Sequence, residues 1–537
     1  MADDLQVVTV SCEGGLNTNQ DVLYQGEQQP GSAISLINYE PSIFGGYRRI
    51  NGFEKLINYV DIDLSGAITF SYQPEVPGTG PVLGVCVANN INDSFFAVRA
   101  PETGTDYFYR YDVSGTIIGG TAYPAWIPVT TPASVNMTGV SQVKMVRYNW
   151  VGERILLLDG ANPAAYYDGT TYTQITHANA PTNPSVGQSF KNHIFLAGAS
   201  ANPQELYFSA PLNEDDFSPA SGAGSINVGF DIVQIKPFRD ELYIFGRNNI
   251  KKLAGTSIAD FQVASVTDDL GCVAADSVVE IGGDLLFLGP DGIRPVSGTD
   301  KIGDVNLETI SKNIQGLMKD VIFNQDLTQL RSVIVKGKSQ FRYFFQNEDT
   351  FGVLGAIRQN KQGQIGFEFA QLAGIQVTCA DSDYIGQEEY VIHGDADGYV
   401  HRQEFKNTFD GRDIFSVFQT PYIFMGDPEM RKNFSRISTY IRAEGSVELI
   451  LKINYDYEDL ASSKPADYNV EAFGRPEYWN VAKFDSDAVY DGNPTPIVRT
   501  NVAGSGFAIS LRYSANDQFG SHSIQGFSML FGVGDRR

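Results

Sequence analysis

Four cysteines, five histidines and three tryptophans are all that this 537-residue chain contains of those residues. Cys12, Cys86, Cys272 and Cys379 are dispersed and form no CxxC pair. That argues against a disulfide framework or a structural zinc site and fits reduced, buried thiols. HExxH, GxSxG and P-loop motifs are absent. No apolar run reaches the ~18 residues a spanning helix needs. The opening MADDLQVVTVSCEGG is acidic and has no positively charged lead into an apolar core, so neither a membrane span nor classical export is expected. Basic residues are also few, 39 against 63 acidic ones for a net charge of −24, and no basic run stands out. Such a chain is a poor candidate for clamping nucleic acid. A wall past which a polyanion must slide would avoid basic patches too.

Glycine is plentiful. The 54 glycines and 24 prolines are spread along the chain, as many short strands joined by tight turns require. A length of 537 residues exceeds one core and suggests about two to four domains. A loose repeat of apolar strands ending in glycine organises the middle: RILLLDG (154–160), HIFLAG (193–198), ELYIFG (241–246) and DLLFLG (284–289). Their closing glycines lie 38, 48 and 43 residues apart. A related hairpin, EYVIHGDADGYVHRQ, turns at Gly394; weaker copies are SFFAVRAPETGTDYFYRYD around Gly104 and QFRYFFQNED ending near Asp349. A strand period of roughly 40–50 residues is what β-propeller blades produce, because a four-stranded blade buries its faces only against neighbours. The expected fold is mainly β, a propeller of about 5–7 blades. An irregular array of hairpins in a large β-sandwich is the bland alternative.

Three regions follow: an N-terminal arm (1–60), a propeller (61–410) and a C-terminal β-sandwich (411–537) that shares a platform with the arm. In the arm a short strand (7–11) and Gly14-Gly15 precede a polar stretch, and Pro30 and Pro41 break any long helix. Within the propeller, Leu307, Ile310, Ile314, Leu317 and Val321 fall at steps of three and four, predicting a docked helix with Asn306 as N-cap. Gly316 costs that helix ~1 kcal/mol relative to alanine. In the C-terminal region Val447, Leu449, Leu451, Ile453 and Tyr455 alternate strictly, as do Phe507, Ile509, Leu511 and Tyr513, and Phe527, Met529, Phe531 and Val533. That is the pattern of half-buried antiparallel strands. A long polar loop (461–496) separates two of them, and a loop of that length usually contacts a partner.

Candidate chemistry is sparse. His393 and His401 flank an Asp-Ala-Asp-Gly turn with Asp395, Asp397 and Glu404 nearby, a set that could hold calcium. It lacks a liganding position of an EF-hand loop, and Asp-x-Asp-Gly is a common turn sequence. No metal and no cofactor is expected. TDYFYRYD (105–112) and NYDYED (454–459) could stack on sugars but read first as strand packing. Paired carboxylates for glycoside hydrolysis can be found anywhere among 63 acids. Trp126, Trp150 and Trp479 are too scattered for a per-blade motif of the sialidase or WD kind. The chain does not read as an enzyme.

The stretch FRDELYIFGRNNIKKLAG, followed by GCVAADSVVEIGGDLLFLGPDGIRPVSGTDKIGDVNLETISKNI, resembles the tail hub or nozzle (tail tubular) protein of short-tailed bacteriophages, the podoviruses. Gly246, Gly271, Gly289, Asp291-Gly292 and the helix around Ile310 and Ile314 take the places of that family's strand, blade boundary, Asp-Gly turn and helix. The opening resembles the arm of such structural proteins, with Gly14 to Asn17 and Gly46 to Phe53 matching its Gly-Gly-Leu-Asn and Gly-Tyr/Leu-Arg-x-x-x-Gly-Phe phrases. About a third of the chain is covered; the motifs are structural, and the 461–496 loop has no counterpart. The resemblance implies a homo-hexameric ring in the virion tail, assembled in the host cytoplasm below a head-to-tail adaptor ring. Viral DNA would be retained by its channel and ejected through it without specific binding. Tail fibres or tailspikes, and a needle or plug protein, would be its other partners. Rival readings are a carbohydrate-binding or carbohydrate-active propeller for receptor recognition, a host-type scaffold propeller, and a receptor-binding tail protein.

Overall fold

The computed structural model describes residues 5–62, 68–89, 91, 94–297, 309–346, 351–359, 365–459, 462–472 and 497–534. The chain is mainly β and contains a β-propeller. Five blades follow in sequence order, each a separate antiparallel sheet of three or four strands whose first members are Thr79–Val87, Lys144–Asn149, Val186–Phe190, Gln234–Phe238 and Val279–Ile281. A closing blade is built from Cys379–Ile385, Glu388–Gly394 and Val400–Gln403, with Phe53–Lys55 of the N-terminal arm added as its outer strand. Between the fifth and closing blades, the seventh place in the ring is taken by one end of a nine-stranded sheet, beginning with Arg331–Val335.

Each repeated apolar run is the second strand of one sector: Phe95–Ala100, Glu153–Leu158, His193–Ala197, Glu241–Phe245, Asp284–Gly289, Gln340–Phe344 and Glu388–Gly394. Such a strand is covered on both faces. Ile155 and Leu157 pack toward the first blade, while Leu156 and Leu158 pack toward the third. Leu242 and Ile244 face the third blade, and Tyr243 and Phe245 the fifth. Continuous apolar sequence is the consequence, since neither face meets water. The glycines that end the runs serve different needs. Gly160 has φ +72° and Gly198 φ +68°, the left-handed region, whereas a Cβ at Gly246 would lie 2.4 Å from the Phe230 ring.

The same nine-stranded sheet runs on into a β-sandwich. After Arg331–Val335, Gln340–Phe344, Gly352–Gln359 and Ile365–Leu372 come Ser35–Ile37, Ile414–Gln419, Ile509–Asp517, Val447–Tyr455 and Tyr468–Ala472. The join is a parallel pairing of Ile37 with Gln371. Facing it is a seven-stranded sheet in which His522–Val533 pairs with both Lys432–Ala443 and Leu5–Ser11. The platform is therefore built from N- and C-terminal segments. Leu449, Leu451, Ile453, Leu511 and Tyr513 meet Ile437, Phe527, Met529 and Phe531 in its core. On Val447–Tyr455 the alternate residues Glu448, Ile450 and Lys452 are exposed, as strict period-2 patterning requires.

The predicted helix starts later than its periodicity suggests. Ile310 N–H bonds to the Ile293 carbonyl, and the Ser311 hydroxyl accepts from Ile293 N–H, so this segment runs along the fifth blade's last strand. A 3-10 turn (Lys312–Ile314) then leads into the helix Gln315–Asn324. Ile314 and Val321 are buried and Ile310 and Leu317 partly so, with Met318 added to the stripe. Asn306, Leu307, Asp349, Trp479 and most of the 461–496 loop lie outside the described residues.

Candidate functional site

The His/Asp cluster is a turn. The Asp395 carboxylate accepts the N–H groups of Asp397, Gly398 and Tyr399 at 3.0, 2.8 and 2.8 Å, and its other oxygen lies 2.8 Å from His401 Nε2. Asp397 is exposed, and Glu404 is turned away to Arg342 and Lys338. His393 stacks on His401 with ring centroids 5.0 Å apart and contacts the Gln403 amide. Both imidazoles meet Phe53 edge-on, so the pair secures the strand that closes the propeller. Burial, then the neighbouring His401, pushes His393 well below the ordinary histidine range. No three His, Cys, Asp or Glu side chains gather as metal ligands among the described residues.

The aromatic stretches are mostly packing. Tyr107, Phe108 and Tyr109 are buried, and Tyr111 packs on Trp126. In the second stretch Tyr455 is buried against Phe434, but Tyr457 is 49% exposed and stacks on Tyr422 at 4.2 Å. It sits in a run of three non-glycine residues with positive φ: Asp456, Tyr457 and Glu458. Trp150 packs on Tyr148. His193 and His522 are buried against Ser209 O and the Tyr39 hydroxyl, while His177 lies near Ser218. All four cysteines are buried, and burial pushes their thiols up.

Two charged groupings escaped the reading of the sequence. One is the seam between propeller and sandwich. Glu40 of the arm, 2% exposed, is held by Arg48 (3.1 Å), Lys338 (2.6 Å) and the Gln340 amide (3.0 Å). Arg342 is buried against Glu404 and Gln403 of the closing blade. Burial alone would raise the Glu404 carboxyl, yet Arg342 and Lys338 hold it down at about 2. Arg48 carries the network on to Glu444 of the sandwich at 2.6 Å.

The other grouping lies on the propeller axis. The first strands of six sectors, with Asp276 and Val278 ahead of the fifth blade's first strand, line a cavity of about 200 Å³, which adjoins a wider space of about 570 Å³. Lys144 pairs with Asp276 at 2.8 Å, Arg147 with Asp381 and Asp383, and Lys336 with Asp383 at 2.8 Å. Burial opposes the charge on Asp276, but Lys144 and Arg331 keep its carboxyl below the ordinary range. Charged residues interrupting first strands, such as Lys236 and Asp381, were the available signal; only ring closure shows that they converge.

Neither a family model nor a curated protein matches the chain. Among solved structures, Kluyveromyces lactis Hsv2 is similar over 55% of this chain and 99% of its own, at 11% identity and a TM-score of 0.28. The C-terminal WD40 domain of Sif2 is similar over 74% of this chain and 97% of its own, at 10% identity and a TM-score of 0.34. The fold rests on the strand pairing above, and these likenesses carry no argument about function.

Proposed function

We propose that this chain is a structural virion protein, the tail nozzle of a short-tailed bacteriophage, working as a hexameric ring beneath the head-to-tail adaptor. One observation carries the reading. The sandwich's seven-stranded sheet is open on both sides among the described residues, with Leu5–Ser11 on one and Ile497–Asn501 on the other. Leu5 is 59% and Val7 62% exposed on the first of these strands. Two different open edges on opposite sides of one rigid body suit a head-to-tail contact, and such contacts close into rings when the rotation allows. The continuous sheet from sandwich to propeller supports a stiff pillar around the ring. A net charge of −24 per subunit suits a conduit from which DNA must slip freely.

The experiment is to add purified protein to DNA-filled capsids that carry the adaptor but lack this chain, and to image them by electron microscopy. New six-fold density at the single tail vertex, with better DNA retention, is the expected result. Bare adaptors after incubation would rule the nozzle out. Glycan screening, beginning with Tyr457, would then be the next step.

A further inference from the structure

We infer that the axial cavity of the propeller is a binding site for a phosphate-class oxyanion, with Lys236 as its principal ligand and the Gln188 amide as a second donor. Lys236 lies where the narrow cavity meets the wider space, and Gln188 lines the narrow part. Every other cation lining the axis is already engaged. Lys144 and Arg331 share Asp276, Arg147 has Asp381 and Asp383, and Lys336 has Asp383. Among the described residues the Lys236 ammonium makes no hydrogen bond or ion pair, and the Gln188 amide makes no hydrogen bond. Two unspent donors thus face one polar space that opens to solvent.

The charge balance points the same way. Five cations line the two spaces (Lys144, Arg147, Lys236, Arg331 and Lys336) against three carboxylates, Asp276, Asp381 and Glu280. Counting Asp383, just behind Arg147 and Lys336, one positive charge remains in excess within a chain of −24. Asp381 already accepts from Val87 N–H at 2.9 Å, and Glu280 is exposed with no ion pair to Lys236. Burial disfavours the Lys236 charge and lowers its pKa; Glu280 and Asp381 oppose this fall, while Arg147 and Lys144 reinforce it. An arriving anion reverses that balance, since it supplies the missing counter-charge beside a half-buried ammonium. Anion binding is therefore linked to proton uptake by the lysine. The narrow cavity suits a compact ion such as inorganic phosphate, and the wider space leaves room for a nucleotide whose terminal phosphate reaches Lys236.

Calorimetric titration of the full chain with inorganic phosphate, with ATP, and with chloride as a control separates the two sources. The series is run from pH 7 to 10 in buffers of differing ionisation enthalpy. Saturable one-to-one binding of phosphate or ATP is expected, with proton uptake appearing toward the alkaline end. Lys236→Met should weaken binding at least tenfold, while Lys191→Met, a surface control, leaves it unchanged. Lys236→Arg should bind without proton uptake, because guanidinium stays charged throughout this range. It decides the matter if the Met variant fails to fold. Absence of saturable binding, or equal binding by Lys236→Met, overturns the site, as does undiminished proton uptake in Lys236→Arg. None of these results bears on ring assembly at the tail vertex.

Discussion

The second strand of a blade and a strand of the sandwich bury apolar residues in different ways. Glu153–Leu158 is covered on both faces by neighbouring blades, whereas Val447–Tyr455 has a core on one face and solvent on the other. The first therefore reads as an unbroken apolar run and the second as strict alternation. The junctions differ as well. From the first blade to the fifth, neighbours meet through separate apolar clusters made from strands close in sequence. Propeller meets sandwich through one large apolar cluster, which joins Leu286 and Leu288 to the sandwich core, and beside it through a buried ionic network that gathers Glu40, Arg342 and Glu404 from distant segments. Apolar interfaces tolerate independent loss, while an ionic network fails as a unit.

Breaking the network should give the largest effect. Arg342→Ala takes the most deeply buried cation from Glu40 and Glu404, leaving them Lys338 and, for Glu40, Arg48, and denaturant unfolding should show a loss of about 3 kcal/mol or more. Glu404→Ala in that background should cost much less than it does alone, so the two losses should be far from additive. The network also sets an acid limit. Glu404 is depressed from its ordinary value near 4.5 to about 2. Its stabilisation is fully present above pH 4.5 and is lost as pH falls through that interval, a dependence that Arg342→Ala should flatten.

The blades should behave in the opposite manner. Leu156→Ala and Leu242→Ala sit in different inter-blade clusters. Each should cost about 2–5 kcal/mol, and together their costs should add within ~0.5 kcal/mol. A clear departure from additivity in melting experiments would remove the distinction drawn between the junctions.

Two further tests sharpen the comparison, the first confined to acid. His522, buried in the sandwich against Tyr39, is lowered to about 3 by burial, with Arg49 and Arg48 adding to the effect. The unfolded chain takes up that proton near pH 6.5 and the folded one does not. Stability should thus fall by ~1.4 kcal/mol per pH unit from 6.5 toward 3, and His522→Gln should remove that slope. The smallest effect is a gain: a Cβ at Gly316 in the helix Gln315–Asn324 meets nothing within 4 Å. Gly316→Ala should raise stability by ~0.5–1 kcal/mol, read as a higher melting temperature.

Much of the fold is legible in the amino-acid sequence. All seven apolar runs mark second strands, and the three alternating segments are sandwich strands, because burial on two faces or one leaves its period in the sequence. The helix begins later than its periodicity suggests because Ser311 is held by Ile293, a contact that no local period reports. The calcium-like cluster was legible as a turn from Asp395 and Gly398, yet its role around Phe53 was not, since the closing strand lies far away in the chain.

The amino-acid sequence by itself determined which segments become strands, how many faces each buries, and the acidic character of the whole, for these follow from local pattern and composition. Only the tertiary structure decided that the arm closes the ring, that one sheet continues from propeller into sandwich, and that Lys236 faces the axis without a partner among the described residues. Those outcomes depend on which distant segments meet, and pairing between residues hundreds of positions apart is fixed by global packing rather than by any local period.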